Sequence, residues 1–191
     1  MLGMPRGLTY LPDFITDKQQ EYIVADLERR NWSNELKRRV QHYGYKYDYT
    51  KRTINESMRV DGLLDWMQVY GKKFIDKGFF HKIPDQAIVN EYMPGQGIYK
   101  HIDCEPCFGE SIASLSLLSP CVMEFSRVGR KVDLLLEPKS LLILRGEARN
   151  LWYHGIPARM TDDGVIRERR ISVTFRTVKL EGVNETETAQ F

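Results

Sequence analysis

Arg170-Ile171-Ser172-Val173-Thr174-Phe175-Arg176 is the stretch on which the fold reading turns. Taken as a strand, it puts Ile171, Val173 and Phe175 on one face and Arg170, Ser172, Thr174 and Arg176 on the other, because successive side chains alternate. The apolar face belongs to a core. The other face carries two guanidiniums, planar five-donor groups that suit bidentate binding of carboxylates. The alternation admits two readings, an ordinary amphipathic strand with a wet face or a barrel strand whose lumen holds an anion.

Working outward, the same period of two recurs at 86–93, 111–118, 121–127, 131–137, 140–145 and 150–155, separated by turns such as Pro94-Gly95-Gln96-Gly97. Many short strands at this spacing predict a sandwich or barrel. Upstream the period is helical. Thr16 with Gln19 three residues on forms a capping box, so a first helix is predicted from there to about Arg30, with Tyr22, Ile23 and Leu27 at helical spacing. A second is predicted from Asp61 to about Lys77, with Leu64, Met67, Tyr70 and Phe74 on one stripe. Helices followed by a run of strands make the class α+β, with the helices bracing a closed or double-layered sheet.

The chain has 191 residues, suited to one domain over 1–180, and the polar, acidic stretch 181–191 reads as a frayed tail. Hydrophobic residues at 42% and charged residues at 28% exclude disordered and fibrous classes. No apolar run approaches the roughly 18 residues of a membrane span, and Met1 to Tyr10 lacks the pattern of a secretory leader. A soluble monomer of the cytoplasm, or of the nucleus in a eukaryote, is the expectation. The cysteines, Cys104, Cys107 and Cys121, are too few and odd in number for a disulfide scaffold. Cys104-Glu105-Pro106-Cys107 has zinc-knuckle spacing but no second pair to complete four ligands.

Three residues carry the sharpest chemistry. In His101-Ile102-Asp103 the ionisable groups lie two apart, so on extended backbone they point the same way and can hold one metal. His154, on a later strand, would complete two histidines and one carboxylate. That facial set leaves positions open, as non-haem iron(II) oxygenases require. Asn90 and Tyr92 share a strand face and can both donate hydrogen bonds to a small acidic ligand. His42 and His81 have no such spacing.

Together these residues resemble the AlkB family of iron(II)- and 2-oxoglutarate-dependent dioxygenases. The likeness runs through Asn90-x-Tyr92-x-Pro94-Gly95, His101-x-Asp103, Ser114-x-Ser116-Leu117, Tyr153-His154-Gly155-Ile156 and Arg170-x5-Arg176, with a weaker start near Gly7-Leu8. The resemblance implies a double-stranded β-helix, or jelly-roll, core. It implies Fe(II) on His101, Asp103 and His154, and 2-oxoglutarate held by Asn90, Tyr92, Arg170 and Arg176. Ser172 stands where many members carry Asn; its hydroxyl can still bond a carboxylate, at shorter reach. O2 is the second cosubstrate, and succinate and CO2 are the by-products. When the oxidised carbon is an N-methyl group, the hydroxymethyl product collapses to formaldehyde and the free amine.

For the substrate, residues 29–52 hold eight cations (Arg29, Arg30, Lys37, Arg38, Arg39, Lys46, Lys51 and Arg52) against Glu35 and Asp48, with Trp32, Tyr43, Tyr45, Tyr47 and Tyr49 between them. Cations for phosphates and rings for bases are what a nucleic-acid lid requires, while a solvated strand pair over packed tyrosines is the plainer alternative. In the family this segment resembles the nucleotide-recognition lid, centred on Tyr43-Gly44-Tyr45, with Arg38 and Arg39 beside it. An alkylated base must leave its stack to reach the metal. Glu105, two residues after Asp103, projects on the same side if the strand continues, and His-x-Asp-x-Glu resembles the members that repair methylated bases. Arg127 falls where those members carry a substrate-contacting basic residue. The resulting expectation is a dioxygenase that removes alkyl groups from nucleobases in methylated DNA or RNA. The alternatives are a tRNA-modifying hydroxylase, whose members Pro94-Gly95-Gln96-Gly97 and Gly146-Glu147-Ala148-Arg149-Asn150-Leu151-Trp152 also resemble, or a protein demethylase. A binding module would need neither triad nor paired arginines, and a zinc hydrolase would not need the arginines.

Overall fold

The computed structural model describes residues 3–180; the tail expected over 181–191 lies outside them. In chain order the elements are β1 (Leu8–Leu11), α1 (Asp17–Glu28), β2 (Val40–Tyr43), α2 (Asp65–Asp76), β3 (Gln86–Tyr92), β4 (Ile98–His101), β5 (Phe108–Leu117), β6 (Cys121–Arg127), β7 (Arg130–Leu136), β8 (Leu141–Leu144), α3 (Gly146–Asn150), β9 (Tyr153–Ile156), the two-residue strands β10 (Thr161–Asp162) and β11 (Val165–Ile166), and β12 (Arg170–Val178). A six-stranded antiparallel sheet runs β1-β8-β5-β12-β3-β2, and a four-stranded one runs β4-β9-β6-β7. The two enclose the site as a jelly roll braced by α1 and α2.

Strand parity divides the interior into two cores. Odd-numbered residues of the large sheet, Ala87, Val89, Ala113, Leu115, Leu141, Ile143, Ile171, Val173 and Phe175, pack with Ile23, Leu27, Met67, Tyr70 and Phe74 of the helices. Even-numbered residues face the other way. Ile112, Leu142 and Leu144 pack there with Met123, Phe125, Leu134 and Leu136 of the small sheet. A β-sheet with helices on one face and a second sheet on the other buries both of its faces, and here that leaves β3 and β12 almost wholly inaccessible.

Thr16 caps α1 as the sequence predicts: its Oγ1 accepts from the Gln19 N–H while the Gln19 side chain accepts from the Thr16 N–H. The second helix starts four residues later than predicted, at Asp65, because Leu64 is extended and caps nothing. The predicted strand at 150–155 is shorter too: α3 takes residues up to Asn150 and β9 begins at Tyr153. The strands β1, β2 and β4, four residues each, carry too little alternation to be read from sequence. Cys104 and Cys107 are bonded to each other across one turn, a link the cysteine count did not anticipate; it closes a four-residue loop and is no scaffold. Among the described residues no helix is long and apolar enough to cross a membrane.

Candidate active site

A cleft of about 740 Å³ opens between the sheets, floored by the even-numbered face of β12. The pairing register places Ser172 opposite Asn90 of β3 on one side and Ser116 of β5 on the other, with Arg170 opposite Tyr92. Directly opposed residues on a sheet share a face, so Asn90, Tyr92, Arg170, Ser172, Thr174 and Arg176 all line the cleft. The even face of β12 is therefore not a wet outer face but the lining of an interior cleft.

At the far wall, β4 and β9 pair with His101 opposite His154, their ring centroids 4.5 Å apart. Backbone beyond β4 brings Asp103 to the same point. One ligand atom from each of His101, Asp103 and His154 lies within 4.8 Å of the others, a spacing at which the three can hold one ion. Asp103 Oδ2 is 3.5 Å from His154 Nε2, and Asp103 Oδ1 is 2.6 Å from an Arg176 Nη2. The His101 Nδ1 lies 2.8 Å from the Tyr99 carbonyl, which fixes the ring by donation from Nδ1 and leaves Nε2 free. Burial and the neighbouring His154 push the His101 imidazole down to about 4, so it stays neutral near pH 7 with a lone pair available. Burial opposes the Asp103 charge, but Arg176 and the two imidazoles hold its carboxyl well below the usual carboxylate range.

The donor set fits Fe(II) and a dicarboxylate. Two imidazoles and a carboxylate are a hard-to-intermediate ligand set with open positions. Arg170 is 2% exposed and spends one Nη2 on the Ser116 hydroxyl at 2.8 Å, while its Nε and Nη1 have no partner. Nε and Nη1 of Arg176 are equally unsatisfied. Buried guanidinium donors without acceptors are costly, and an anion between them would supply the acceptors.

Several side chains stand elsewhere than the sequence suggests. Tyr43 is buried in the helix-side core, its hydroxyl donating to Gln41, and Tyr45 bonds Glu56 and Arg59; neither lines the cleft. Tyr47 and Tyr49 do. The sequence could not choose among the four, because the strand ends at Tyr43 and Gly44 (φ +76°) turns the chain where any Cβ would strike the Asp85 carbonyl. Arg39 pairs with Glu91 at 2.5 Å and covers the Trp32 ring, away from the cleft. Arg29 and Arg30 pair with Asp26, and Lys46 with Glu35. Arg38 does reach the cleft, where its Nε donates to Asn90 Oδ1 at 2.8 Å. Glu105 sits exposed on a turn, because β4 stops at His101 and the alternation that would have aimed it inward stops with it. Arg127 pairs with Glu147 at 2.7 Å outside the cleft.

One buried residue went unread. Arg149 of α3 is 1% exposed, and its guanidinium donates to the carbonyls of Asp103, Cys104, Phe108 and Gly109. It fixes the strandless backbone that presents Asp103, and nothing in local sequence marks a carbonyl clamp.

The profile of the 2OG-Fe(II) oxygenase superfamily matches residues 29–176. The chain belongs to that superfamily. Within it the chain is of the AlkB family: it is 37% identical to the Arabidopsis thaliana "Alkylated DNA repair protein ALKBH8 homolog" and 35% identical to the Macaca fascicularis "tRNA (carboxymethyluridine(34)-5-O)-methyltransferase ALKBH8", each over 93% of this chain. It spans 60% and 31% of those relatives' lengths. The solved structure of OsALKBH1 has the same fold, with a TM-score of 0.71 at 17% identity over 93% of this chain and 99% of the other. The AlkB-family protein is thus a dioxygenase that works with Fe(II), 2-oxoglutarate and O2, as the motif resemblance implied.

Proposed function

We propose that this dioxygenase hydroxylates a carbon substituent on a base of tRNA, with His101, Asp103 and His154 as the metal ligands. Bound there, Fe(II), 2-oxoglutarate and O2 together supply the oxidation of a substrate C–H bond to C–OH, with succinate and CO2 released. Arg170, with Ser172, Asn90 and Tyr92 around it, takes the distal carboxylate of 2-oxoglutarate. Arg176 holds Asp103 ionised and oriented. Lys37, Arg38, Arg52, Tyr47 and Tyr49 at the mouth receive the substrate nucleotide.

One observation carries the choice of substrate. Asp103 is the only carboxylate lining the cleft among the described residues, against the cations Lys37, Arg38, Arg52, Lys100, Arg170 and Arg176. With Glu105 turned to solvent, no second carboxylate stands ready to accept from the exocyclic amine of an alkylated base. With Arg170 given to the cosubstrate, Arg176 to Asp103 and Lys100 to Glu124, the cations Lys37, Arg38 and Arg52 remain, and they favour a base whose substituent is itself acidic or rich in acceptors, such as the carboxymethyl group that the macaque relative's name specifies. Dealkylation of N-methylated bases is the second reading, favoured by the Arabidopsis relative's name and by the shared catalytic core.

Nucleoside mass spectrometry separates the two. Incubating the protein with Fe(II), 2-oxoglutarate, ascorbate and either tRNA or methylated oligonucleotides should add one oxygen to a tRNA nucleoside, because a hydroxyl on carbon is retained. Loss of a methylene with formaldehyde release would instead establish dealkylation, because an N-hydroxymethyl group breaks its N–C bond and leaves as formaldehyde, its hydroxyl proton passing to nitrogen.

A further inference from the structure

A groove of about 930 Å³ opens beside the cleft and runs into it, sharing Lys37, Arg38, Ile98, Tyr99 and Lys100 with it. Its floor is backbone. A Cβ at Gly97 would lie 2.2 Å from the Ile156 carbonyl oxygen, and one at Gly155 would lie 2.8 Å from that of Ile98, so no larger side chain can fill this floor. Gln96 ties the turn to the wall: its Nε2 donates to the Lys37 carbonyl at 2.9 Å and its Oε1 accepts from the Met93 N–H.

What lines this rigid groove is specific in kind. Tyr99 is 91% exposed, an aromatic ring on a strand with almost nothing packed on it. Lys37 makes no ion pair among the described residues. Lys100 lies 3.0 Å from Glu124, a carboxylate that Lys131 also approaches, while Asp133 and Asp162 serve Lys131 and Arg159. A bare ring beside the unpaired Lys37, with Lys100 on the same wall, matches a chain of alternating bases and phosphates. We propose that the groove binds the single-stranded RNA that flanks the target nucleotide, with one neighbouring base stacked on Tyr99 and its phosphates at Lys37 and Lys100. This rests on the reading of a tRNA base as substrate and adds a recognition site for the strand carrying it. Unpaired bases offer their faces to aromatic side chains, whereas in a duplex those faces are covered by neighbouring pairs. An acidic peptide would use the lysines and leave the ring without a role.

Fluorescence anisotropy with a labelled short oligouridine carrying no modified base tests the site independently of catalysis. Tyr99→Ala should weaken binding about fivefold or more and Tyr99→Trp should restore it, since stacking serves any aromatic ring. Lys37→Ala should lower the slope of log affinity against log salt by about 0.7. Unchanged affinity in Tyr99→Ala, or equal competition by polyglutamate, would overturn the proposal. Oligouridine bound through Tyr99 without oxidation of any tRNA base would sink the substrate reading and leave the groove standing. Oxidation of tRNA with binding that ignores both substitutions would do the reverse.

Discussion

The cleft has two halves built by different means. One is sheet: Asn90, Tyr92, Arg170, Ser172 and Arg176 project from β3 and β12 in fixed register. The other is loop: Asp103, the turn carrying Cys104–Cys107 and the segment over 33–60 have little ladder to hold them. In the sheet half, direction follows from parity, so a residue two positions on must share the face. In the loop half, direction is set by capture. Arg149 fixes the Asp103 backbone, Asn90 fixes Arg38, and Glu91 draws Arg39 away. In the proposed function the sheet half places the cosubstrate and the captured loop half places the substrate groups, and the two should respond to mutation separately.

The largest effect is expected where both halves meet. Asp103→Asn keeps the volume and removes a ligand, so succinate formation should fall by more than about a hundredfold, beyond what loss of a ligand's hydrogen-bond partner costs. A succinate assay near wild type would break the assignment of the triad.

Next comes the loop half alone. Arg149→Met removes the guanidinium bonds to the buried carbonyls of Asp103, Cys104 and Phe108, of which Cys104 keeps the Phe108 N–H, and stability should drop by about 3 kcal/mol in chemical denaturation. Loss of stability without weakened metal binding would mean that the loop holds Asp103 unaided.

Asp162, on the short strand β10 outside the cleft, gives a pH test. Burial works against its charge, but Arg167, the Val122 N–H and Arg159 lower it from 3.8 to about 2. A carboxylate depressed on folding contributes stability above its unfolded value and loses it as pH falls through the folded one. About 2 kcal/mol should therefore disappear between pH 4 and pH 2, and Asp162→Asn should remove that part of the acid dependence. Parallel melting profiles for variant and wild type over that window would contradict the pairing.

The smallest effects separate neighbours. Arg38→Ala should lower the salt slope of single-stranded RNA binding by about 0.7, because Arg38 lines the cleft. Arg39→Ala should leave the slope alone and cost about 1 kcal/mol of stability, because Arg39 only pairs with Glu91. A slope that falls equally in both would erase the distinction drawn between them.

The same division explains what could be read from sequence. The strands β3, β5 to β9 and β12 and the first helix with its capping box follow from periodicity and local pattern, while the jelly-roll class and the groups on the even face of β12 follow from the motif resemblance. Wherever the ladder stops, parity stops carrying information. Glu105 was aimed inward only on the condition that β4 continue past His101, and it does not. Tyr43 and Tyr45 could not be told from Tyr47 and Tyr49 because Gly44 bends the chain between strand and loop. Half of the cations in 29–52 are spent on Asp26, Glu35 and Glu91, partners that are distant or hidden in a composition count. Arg149 was invisible because its acceptors are backbone carbonyls, which every residue has.

The central claim is that the even face of β12 binds the cosubstrate whatever the loops hold. Calorimetric titration of 2-oxoglutarate into the protein with Mn(II), which occupies such ligand sets without turnover, tests it on wild type and Arg170→Lys. Lysine keeps the charge but loses the planar fork, so affinity should fall about tenfold, equivalent to about 1.4 kcal/mol, while Arg39→Ala, which faces away from the cleft, leaves it unchanged. Equal affinity in wild type and Arg170→Lys would contradict the account.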